Sequence, residues 1–428
     1  MKTSLRATLF AAASLAASAA NAGGFYLQEQ SVRGAGRAFS GEAADQGAAS
    51  LWWNPASIGG MTGFDAYAGA SYIRPRGDVT NVGTLVVRPG QAPAPVGGLQ
   101  NSHNPINNGV LPSGGIAYAL TDKLAIGVVV TSPFSFTTDY EPNSWVRYTA
   151  DKTSLRTADI QPSIAYQLTP ELSVGGAVNV EYAEAALSNA LPNLSPLLAD
   201  GHQTLKGHGW DVGFSLGAQL REGPWAFGVS YKSAVKHTLK GNITTAGLLS
   251  VLSAQNGQVS TTAKFETPWQ LIGSVRYHVT PALTLDGQVV RVGWRRFDAI
   301  RLGAPLNVAI PENYNDTWSF AAGADYMVTP ALTIRAGIQH DDTPTTNTQR
   351  DARVPDTARW NYTGGGSYTV ASRYTIDAAF GYTDFKNGPI NRTTAAYAGS
   401  VVQTPILVNG RIHDARALVF SLGGRVHF

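Results

Sequence analysis

The carboxyl-terminal stretch Ala417–Phe428, ALVFSLGGRVHF, decides the fold class because apolar side chains recur in it at every second position. One face of this stretch carries Leu418, Phe420, Leu422 and Val426, and the chain stops on Phe428. A strand with one apolar face and a terminal aromatic residue is typical of the closing strand of a bacterial outer-membrane β-barrel. We therefore predict an all-β protein that crosses the outer membrane of a Gram-negative cell many times.

The amino-terminal residues predict the same compartment. A basic start with Lys2 and Arg6 precedes an apolar run, and Ala20-Asn21-Ala22 has the small-residue pattern of a secretory cleavage site. Residues 1–22 are accordingly predicted to be a signal peptide, and the mature chain is expected to begin at Gly23.

Composition excludes several classes of protein. Although 43% of the residues are hydrophobic, no apolar run beyond the amino terminus is long enough for a membrane-spanning helix, so apolar side chains must be dispersed by alternation. The chain has no cysteine, which removes disulfides, thiolate metal sites and cysteine nucleophiles. The formal net charge of +3 becomes 3 − 2 = +1 without Lys2 and Arg6, so no nucleic-acid partner is indicated.

Period-two segments recur from residue 63 to the end of the chain, the clearest of them at Leu172–Tyr182. Six short turns alternate with seven longer loops rich in Pro, Asn, Gly and Thr, and these thirteen connections join fourteen strands. We therefore predict that residues 63–428 form a transmembrane, fourteen-stranded antiparallel β-barrel. Its short turns should face the periplasm and its long loops the outside.

A barrel of fourteen strands is wider than its own side chains can fill. The segment 23–62 lacks a period-two pattern and contains the adjacent Trp52 and Trp53, which need to be buried. We predict that this segment is a plug, or hatch, inside the barrel. The alternative is a disordered periplasmic tail.

Three motifs in the predicted hatch carry a resemblance to a known family. They are GFYLQEQS at 24–31, GAGRAFSGE at 34–42 and WNPA at 53–56. In these motifs, and more sparsely along the rest of the mature chain, the sequence resembles the FadL/TodX (OMPP1) family of outer-membrane transporters for long-chain fatty acids and other hydrophobic compounds. The resemblance implies a fourteen-stranded barrel with an amino-terminal hatch, to which Gly36, Asn54, Pro55 and Ala56 are assigned.

The resemblance also implies a mechanism: capture of a hydrophobic substrate on outer loops, binding in the lumen beside the mature amino terminus, and lateral diffusion through the barrel wall. The wall opening is expected at a kink of the third strand, which places the lateral gate at Ser132, Pro133 and Phe134. Proline removes a donor from the strand ladder where the kink is expected. The alternative is that Pro133 ends the strand and begins a loop.

Substrate-binding residues follow from the same resemblance and from apolar loops. Phe25 is expected to line the lumen site, and Arg301 to pair with a fatty-acid carboxylate. A second basic position of fatty-acid carriers falls on Glu184 here, which keeps neutral, toluene-like hydrocarbons open as alternative substrates. Capture is expected at an unusually apolar outer loop that contains Leu191, Leu194, Leu197 and Leu198.

No enzymatic chemistry is predicted. Gly213-Phe214-Ser215-Leu216-Gly217 matches the G-x-S-x-G pattern, but it lies within a strand, whereas a nucleophile elbow requires a turn from strand to helix. We expect no catalytic residue, cofactor or metal, and we disfavour an outer-membrane lipase and a general porin. The expected partners are hydrophobic small molecules and outer-membrane lipid, and the expected state is a monomer.

Overall fold

The computed structural model describes residues 23–428, so the predicted signal peptide at 1–22 lies outside the described residues. Within residues 23–428, no helix is both long and apolar enough to cross a membrane. The described chain is almost entirely β-structure arranged as one closed antiparallel sheet.

Fourteen strands form the barrel within the described residues, as the alternation predicted. Nine of them are β1 (Phe64–Asn81), β2 (Gly109–Ala119), β3 (Leu124–Thr131 and Phe136–Asp139), β4 (Lys152–Gln167), β5 (Leu172–Leu191), β6 (Gly201–Glu222), β7 (Trp225–Lys232 and Lys236–Ala246), β8 (Gly257–Glu266 and Trp269–His278) and β9 (Leu283–Gly293 and Ala299–Leu302). The others are β10 (Ala309–Pro311 and Thr317–Thr329), β11 (Leu332–Asp341), β12 (Arg359–Val370), β13 (Tyr374–Phe385 and Gly388–Ala396) and β14 (Thr404–His427).

Pairing between the first and last strands closes the barrel. β1 and β14 run antiparallel from Asp65 opposite His427 to Asn81 opposite Gly410, with one register shift between Arg76 and Asp78. At the start of β1, Gly63 has a φ of +66°, and a Cβ there would overlap the carbonyl oxygen of Phe428. Glycine is therefore required where the two ends of the barrel meet.

Side chains alternate between lipid and lumen as the sequence predicted. On β6, Val212, Phe214 and Leu216 are exposed on the outer face, whereas Ser215 between them is fully buried. On β14, Phe420 and Leu422 are likewise exposed, while Val419 is buried. An apolar outer face is stable in a bilayer, where every backbone polar group must be paired within the barrel.

The connections differ at the two ends of the barrel. One end has tight turns, whereas the other carries long loops with their own short elements, Leu85–Val86, Ala94–Pro95, Asn101–His103 and the 3₁₀ helix Ser250–Gln255. This asymmetry orients outer-membrane barrels, because the long loops lie outside the cell.

Residues 23–62, the N-terminal segment, lie inside the barrel against its inner wall. The segment contains one α-helical turn, α1 (Val32–Ala35), and 3₁₀ helices at Glu42–Ala44, Ala48–Ser50 and Pro55–Ile58. Hydrogen bonds tie it to the inner wall, since the side-chain amides of Gln161 and Gln219 donate to Leu51 O at 2.9 Å and Ala43 O at 2.8 Å. Trp52 and Trp53 are buried.

Candidate functional site

The third strand of the barrel is interrupted between Thr131 and Phe136. β3 leaves the ladder after Thr131 and resumes at Phe136, opposite Leu155 of β4. The intervening residues Ser132–Ser135 include the predicted gate and turn into the lumen, where Ser132 and Phe134 are buried. Because β3 continues beyond Pro133, this proline interrupts the strand and does not end it.

The interruption opens the backbone ladder between β2 and β3. Their pairing extends from Ala119–Ala125 to Gly114–Val130, and among the described residues it resumes only at an isolated bridge between Ile106 and Thr138. Along the intervening length, Gly109–Ser113 of β2 pairs with β1 on its other side. The wall is thus discontinuous on one side of β2.

The inward turn is held by the N-terminal segment. Leu27 N donates to Pro133 O at 2.8 Å, and the Gln30 side chain bonds both backbone groups of Ser132, at 3.1 and 3.2 Å. Proline suits this position because it has no N–H that would be left without a partner. The conformation of the wall and that of the N-terminal segment are therefore coupled.

Beside this turn, Phe25 is enclosed by aromatic rings. Its ring centroid lies 4.9 Å from that of Trp294, 5.0 Å from Phe297 and 5.8 Å from Phe136. Edge-to-face packing of this kind stabilises beyond the area it buries. These contacts anchor the start of the N-terminal segment in the lumen. The sequence placed Phe25 in the same region.

A cavity of about 690 Å³ lies against this aromatic cluster, toward the long-loop end. Twelve of its lining residues are apolar, and the side chains of β4 to β9 supply most of them: Phe25, Phe136, Leu155, Ala185, Leu187, Leu205, Leu239, Ala263, Phe265, Phe297, Ile300 and Val354. Its apolar lining is typical of a site for a hydrophobic ligand.

One wall of this apolar cavity is charged. Arg353, Asp351 and Glu312 line it, but both carboxylates are bound by Arg392, at 2.8 Å to Asp351 and 3.2 Å to Glu312. Arg353 has only neutral acceptors, at 3.3 to 3.5 Å, on Thr153, Ser188 and Asn189. Among the described residues, its guanidinium thus has no carboxylate within ion-pair distance.

Burial acts on Arg353 as well. Desolvation lowers the pKa of its guanidinium, and the nearby Asp351 only partly opposes that effect. Arginine nevertheless remains charged at any ordinary pH. A partly buried charge with weak neutral partners favours an anionic ligand.

The prediction for Arg301 requires a correction. Arg301 points away from the cavity, is exposed, and forms a bidentate ion pair with Asp298 at 2.5 and 2.9 Å. Its neighbour Ile300 lines the cavity instead, because successive side chains of a strand face opposite sides. Glu184 is likewise exposed on the outer face of β5, opposite Arg156 and His208, so its charge does not bear on the lumen.

A second cavity of about 430 Å³ adjoins the first and shares Phe136 and Val354 with it. Its lining includes Ile106 and Thr138, the pair that bounds the open ladder between β2 and β3. The second cavity thus lies between the first cavity and the interruption in the wall.

The apolar outer loop lies at the extracellular end of β5. Leu191 is buried against Leu248 and Leu252, and Leu194 packs on this cluster. Leu197 is 94% exposed and Leu198 is also exposed. The loop therefore combines an apolar cluster with apolar side chains in solvent.

The residues assigned to the hatch all lie against the inner wall. The Asn54 side-chain amide donates to Ala43 O at 2.7 Å and to Ala218 O of β6 at 3.1 Å. Pro55 and Ala56 follow it in a buried 3₁₀ helix that packs on Gly175 of β5, where a Cβ would overlap the Pro55 backbone. Gly36 similarly approaches the backbone of β12.

Ser215 has the environment of a structural residue. It lies within β6, directly opposite Lys232 of β7, and its hydroxyl donates to Asn179 Oδ1 at 2.7 Å. This extended position lacks the sharp turn that a serine nucleophile of the G-x-S-x-G type needs.

Arg353 and Tyr314 are lining residues that the sequence did not identify. Both belong to the outer ends of strands or to loops that fold back into the lumen. Arg353 directly precedes Val354-Pro355-Asp356, one of the stretches outside the N-terminal motifs in which the sequence resembles the family. This position is the sequence feature that could have drawn attention to it. Nothing in a loop sequence alone indicates which side chains reach the cavity.

The sequence profile of the outer membrane protein transport proteins (OMPP1/FadL/TodX) matches residues 13–428. The long-chain fatty acid transport protein of Escherichia coli O6:H1 is 27% identical over 421 residues, covering 88% of this chain and 90% of that protein. Outer membrane protein P1 of Haemophilus influenzae is 26% identical over 428 residues, covering 89% and 90%.

Two solved structures share the fold. A Pseudomonas aeruginosa FadL homologue matches with a TM-score of 0.82 at 23% identity, covering 94% of this chain and 99% of the homologue. The toluene transporter TbuX of Ralstonia pickettii matches with a TM-score of 0.65 at 18% identity, covering 95% and 100%.

Proposed function

The chain belongs to the OMPP1/FadL/TodX family of outer membrane transport proteins, and from that premise we propose that its substrates are long-chain fatty acids. Members of this family carry hydrophobic compounds across the outer membrane and are channels rather than enzymes. The observation that carries the fatty-acid proposal is Arg353, an arginine without a carboxylate partner on the wall of an apolar cavity. Curated relatives named as long-chain fatty acid transport proteins, at 26 to 27% identity, agree with it.

The proposed path begins at the outer loops, where Leu197 and Leu198 offer an apolar surface. The acyl chain then enters the 690 Å³ cavity beside Phe25, and its carboxylate binds Arg353. Each methylene group gains about 0.8 kcal/mol of transfer free energy on leaving water. An apolar loop surface followed by an apolar cavity therefore makes each step favourable for the acyl chain, whereas an aqueous pore would not.

Exit is proposed to be lateral. In this proposal the N-terminal segment is a hatch that closes the bore and whose residues Gly36, Asn54, Pro55 and Ala56 are structural. The gate is the inward turn Ser132–Ser135, next to the second cavity and the open ladder between β2 and β3. A closed bore also disfavours a general porin.

A neutral, toluene-like hydrocarbon is the second candidate substrate. The aromatic cluster around Phe25 would accommodate such a ring, but a hydrocarbon would leave the Arg353 guanidinium without a charge partner. The two substrate classes therefore differ in whether binding depends on Arg353.

Binding of oleate and of oleyl alcohol to the purified protein in detergent tests the proposal, because these probes share a chain and differ in charge. Arg353→Gln should weaken oleate binding about 10- to 100-fold, the equivalent of losing a hydrogen bond to a charged group, and should leave oleyl alcohol binding nearly unchanged. Arg301→Gln is the matched control and should change neither.

Unaltered oleate affinity in Arg353→Gln would remove the head-group assignment. If the wild-type protein bound toluene but neither long-chain probe, the fatty-acid proposal itself would fail.

A further inference from the structure

A group of cations occupies one sector of the barrel's outer surface, on β6 to β9. We call it the basic patch and define it as Lys206, Lys236, Lys240, Lys264, Arg296 and Arg301, all exposed. Two carboxylates lie among them, Glu266 beside Lys236 and Arg296, and Asp298 beside Arg301. The patch therefore carries an excess of positive charge.

Neighbouring strands place these cations close together. Lys264 lies directly opposite Arg301 on the same face. Lys240 is opposite Thr262, and Lys264 is opposite Thr238, so Lys240 and Lys264 are diagonal neighbours on β7 and β8. Directly opposed like charges destabilise a sheet. Asp298 neutralises part of the charge of Arg301, whereas among the described residues Lys206, Lys240 and Lys264 have no carboxylate within ion-pair distance.

Aromatic side chains adjoin the patch on the outer face of the barrel. Strands β6, β7 and β8 carry Trp210, Tyr231 and Trp269, and the rings of Tyr231 and Trp269 are 6.3 Å apart. Aromatic residues of this kind mark the boundary between hydrocarbon and head groups. On β6, Trp210 is followed toward the long-loop end by His208 and Lys206 on the same face. On β6, Lys206 thus lies on the head-group side of this aromatic boundary.

We propose that the basic patch binds the phosphate groups of a phosphorylated glycolipid of the outer leaflet, whose acyl chains lie along the apolar strands below it. Several cations close together on one outer face match several phosphates on one head group, and each charge near a membrane surface adds to the attraction. Continuity between the patch and the apolar band favours a lipid over a free phosphate ion. This inference rests only on the location of the barrel in the outer membrane and is independent of the transported substrate.

Titration of the delipidated protein in detergent with lipid A tests this inference, with native mass spectrometry as the readout. Diphosphoryl lipid A should bind the wild-type protein more tightly than the dephosphorylated lipid. Lys240→Gln/Lys264→Gln should weaken binding of the diphosphoryl form at least about tenfold. The control Lys123→Gln/Arg373→Gln removes two exposed cations from the short-turn end and should leave binding unchanged.

Three outcomes would overturn the inference. They are equal affinity for the diphosphoryl and dephosphorylated lipids, unchanged binding in the Lys240/Lys264 variant, or full displacement of the lipid by an equal concentration of inorganic phosphate. Folding of each variant is checked by its heat-dependent mobility on gels. Removing mutually repelling cations should not lower its unfolding temperature in detergent.

Discussion

At the scale of single residues, one step along a strand decides which arginine faces the lumen. Arg301 and Ile300 are neighbours in β9, yet Ile300 lines the cavity and Arg301 faces outward with Asp298. The arginine that does line the cavity is Arg353, in the loop after β11. The proposed recognition of a carboxylate therefore depends on a residue whose position is set by the folding of a loop, and not by the alternation of a strand.

Glu29 gives a residue-scale prediction for the dependence of stability on pH. Burial in the N-terminal segment raises the pKa of this carboxyl from 4.5 to about 7, with Arg359 opposing the shift. The folded state therefore holds the proton more tightly than the unfolded state, and stability falls as the pH rises from about 4.5 to 7. Glu29→Gln should raise stability at pH 8 by up to about 3 kcal/mol and change it little at pH 4.

Heat-dependent gel mobility at pH 4, 6 and 8 measures this effect. Glu222→Gln, at an exposed turn, is the control and should follow the wild-type protein at each pH. A Glu29→Gln variant that loses stability at pH 8 would mean that the carboxylate is stabilised as an anion.

At the scale of elements, β3 shows how a single strand joins wall and lumen. Pro133 and its neighbours leave the ladder because the N-terminal segment supplies the hydrogen bonds that β2 does not. The Phe134 ring then packs against Phe25 and Tyr26, with centroids 6.0 and 5.7 Å away. The inward turn and the N-terminal segment should therefore move together if the gate opens.

A disulfide between these two elements should block transport. Tyr26 and Phe134 form an isolated antiparallel bridge, a geometry that brings Cα atoms within disulfide range, and the chain has no cysteine to interfere. Tyr26→Cys/Phe134→Cys should take up oleate at least about tenfold more slowly when oxidised and recover when reduced.

The single variants Tyr26→Cys and Phe134→Cys each remove one of the two rings but cannot form the disulfide. Their uptake of oleate should therefore not respond to reductant. Equal uptake by the oxidised and reduced double variant, with the disulfide verified by mass, would argue against a gate at this turn.

At the scale of the whole molecule, closure of the barrel brings three distant outer loops together. Leu191 and Leu194 pack with Leu248 and Leu252, and Tyr397 and Val402 cover the same cluster. Around it, Leu197, Val251 and Val401 are 94%, 73% and 98% exposed. Such side chains contribute nothing to packing, which favours a role in capture.

Charging this surface should slow uptake. Leu197→Asp/Val251→Asp/Val401→Asp should lower the uptake of oleate by cells at low concentration about tenfold, because an acyl chain gains less on leaving water beside carboxylates. Barrel stability should be unchanged, since these side chains are exposed.

The control Ala199→Asp/Ala254→Asp/Ala398→Asp adds three charges to the same loops at exposed positions and removes only methyl groups. If both triple variants slow uptake equally, repulsion of the anionic substrate, and not the loss of an apolar surface, limits capture.

The sequence alone determined the barrel, its fourteen strands and the burial of Trp52 and Trp53, because these follow from the period-two alternation of side chains and from the need to fill a wide lumen. Tertiary structure alone decided that Arg353 lines the cavity while Arg301 does not, and that β3 opens beside β2. Those outcomes depend on contacts between residues that are far apart in the chain, such as Leu27 with Pro133, and on the inward folding of long loops. Such contacts form only when the barrel has closed, so no short stretch of sequence encodes them.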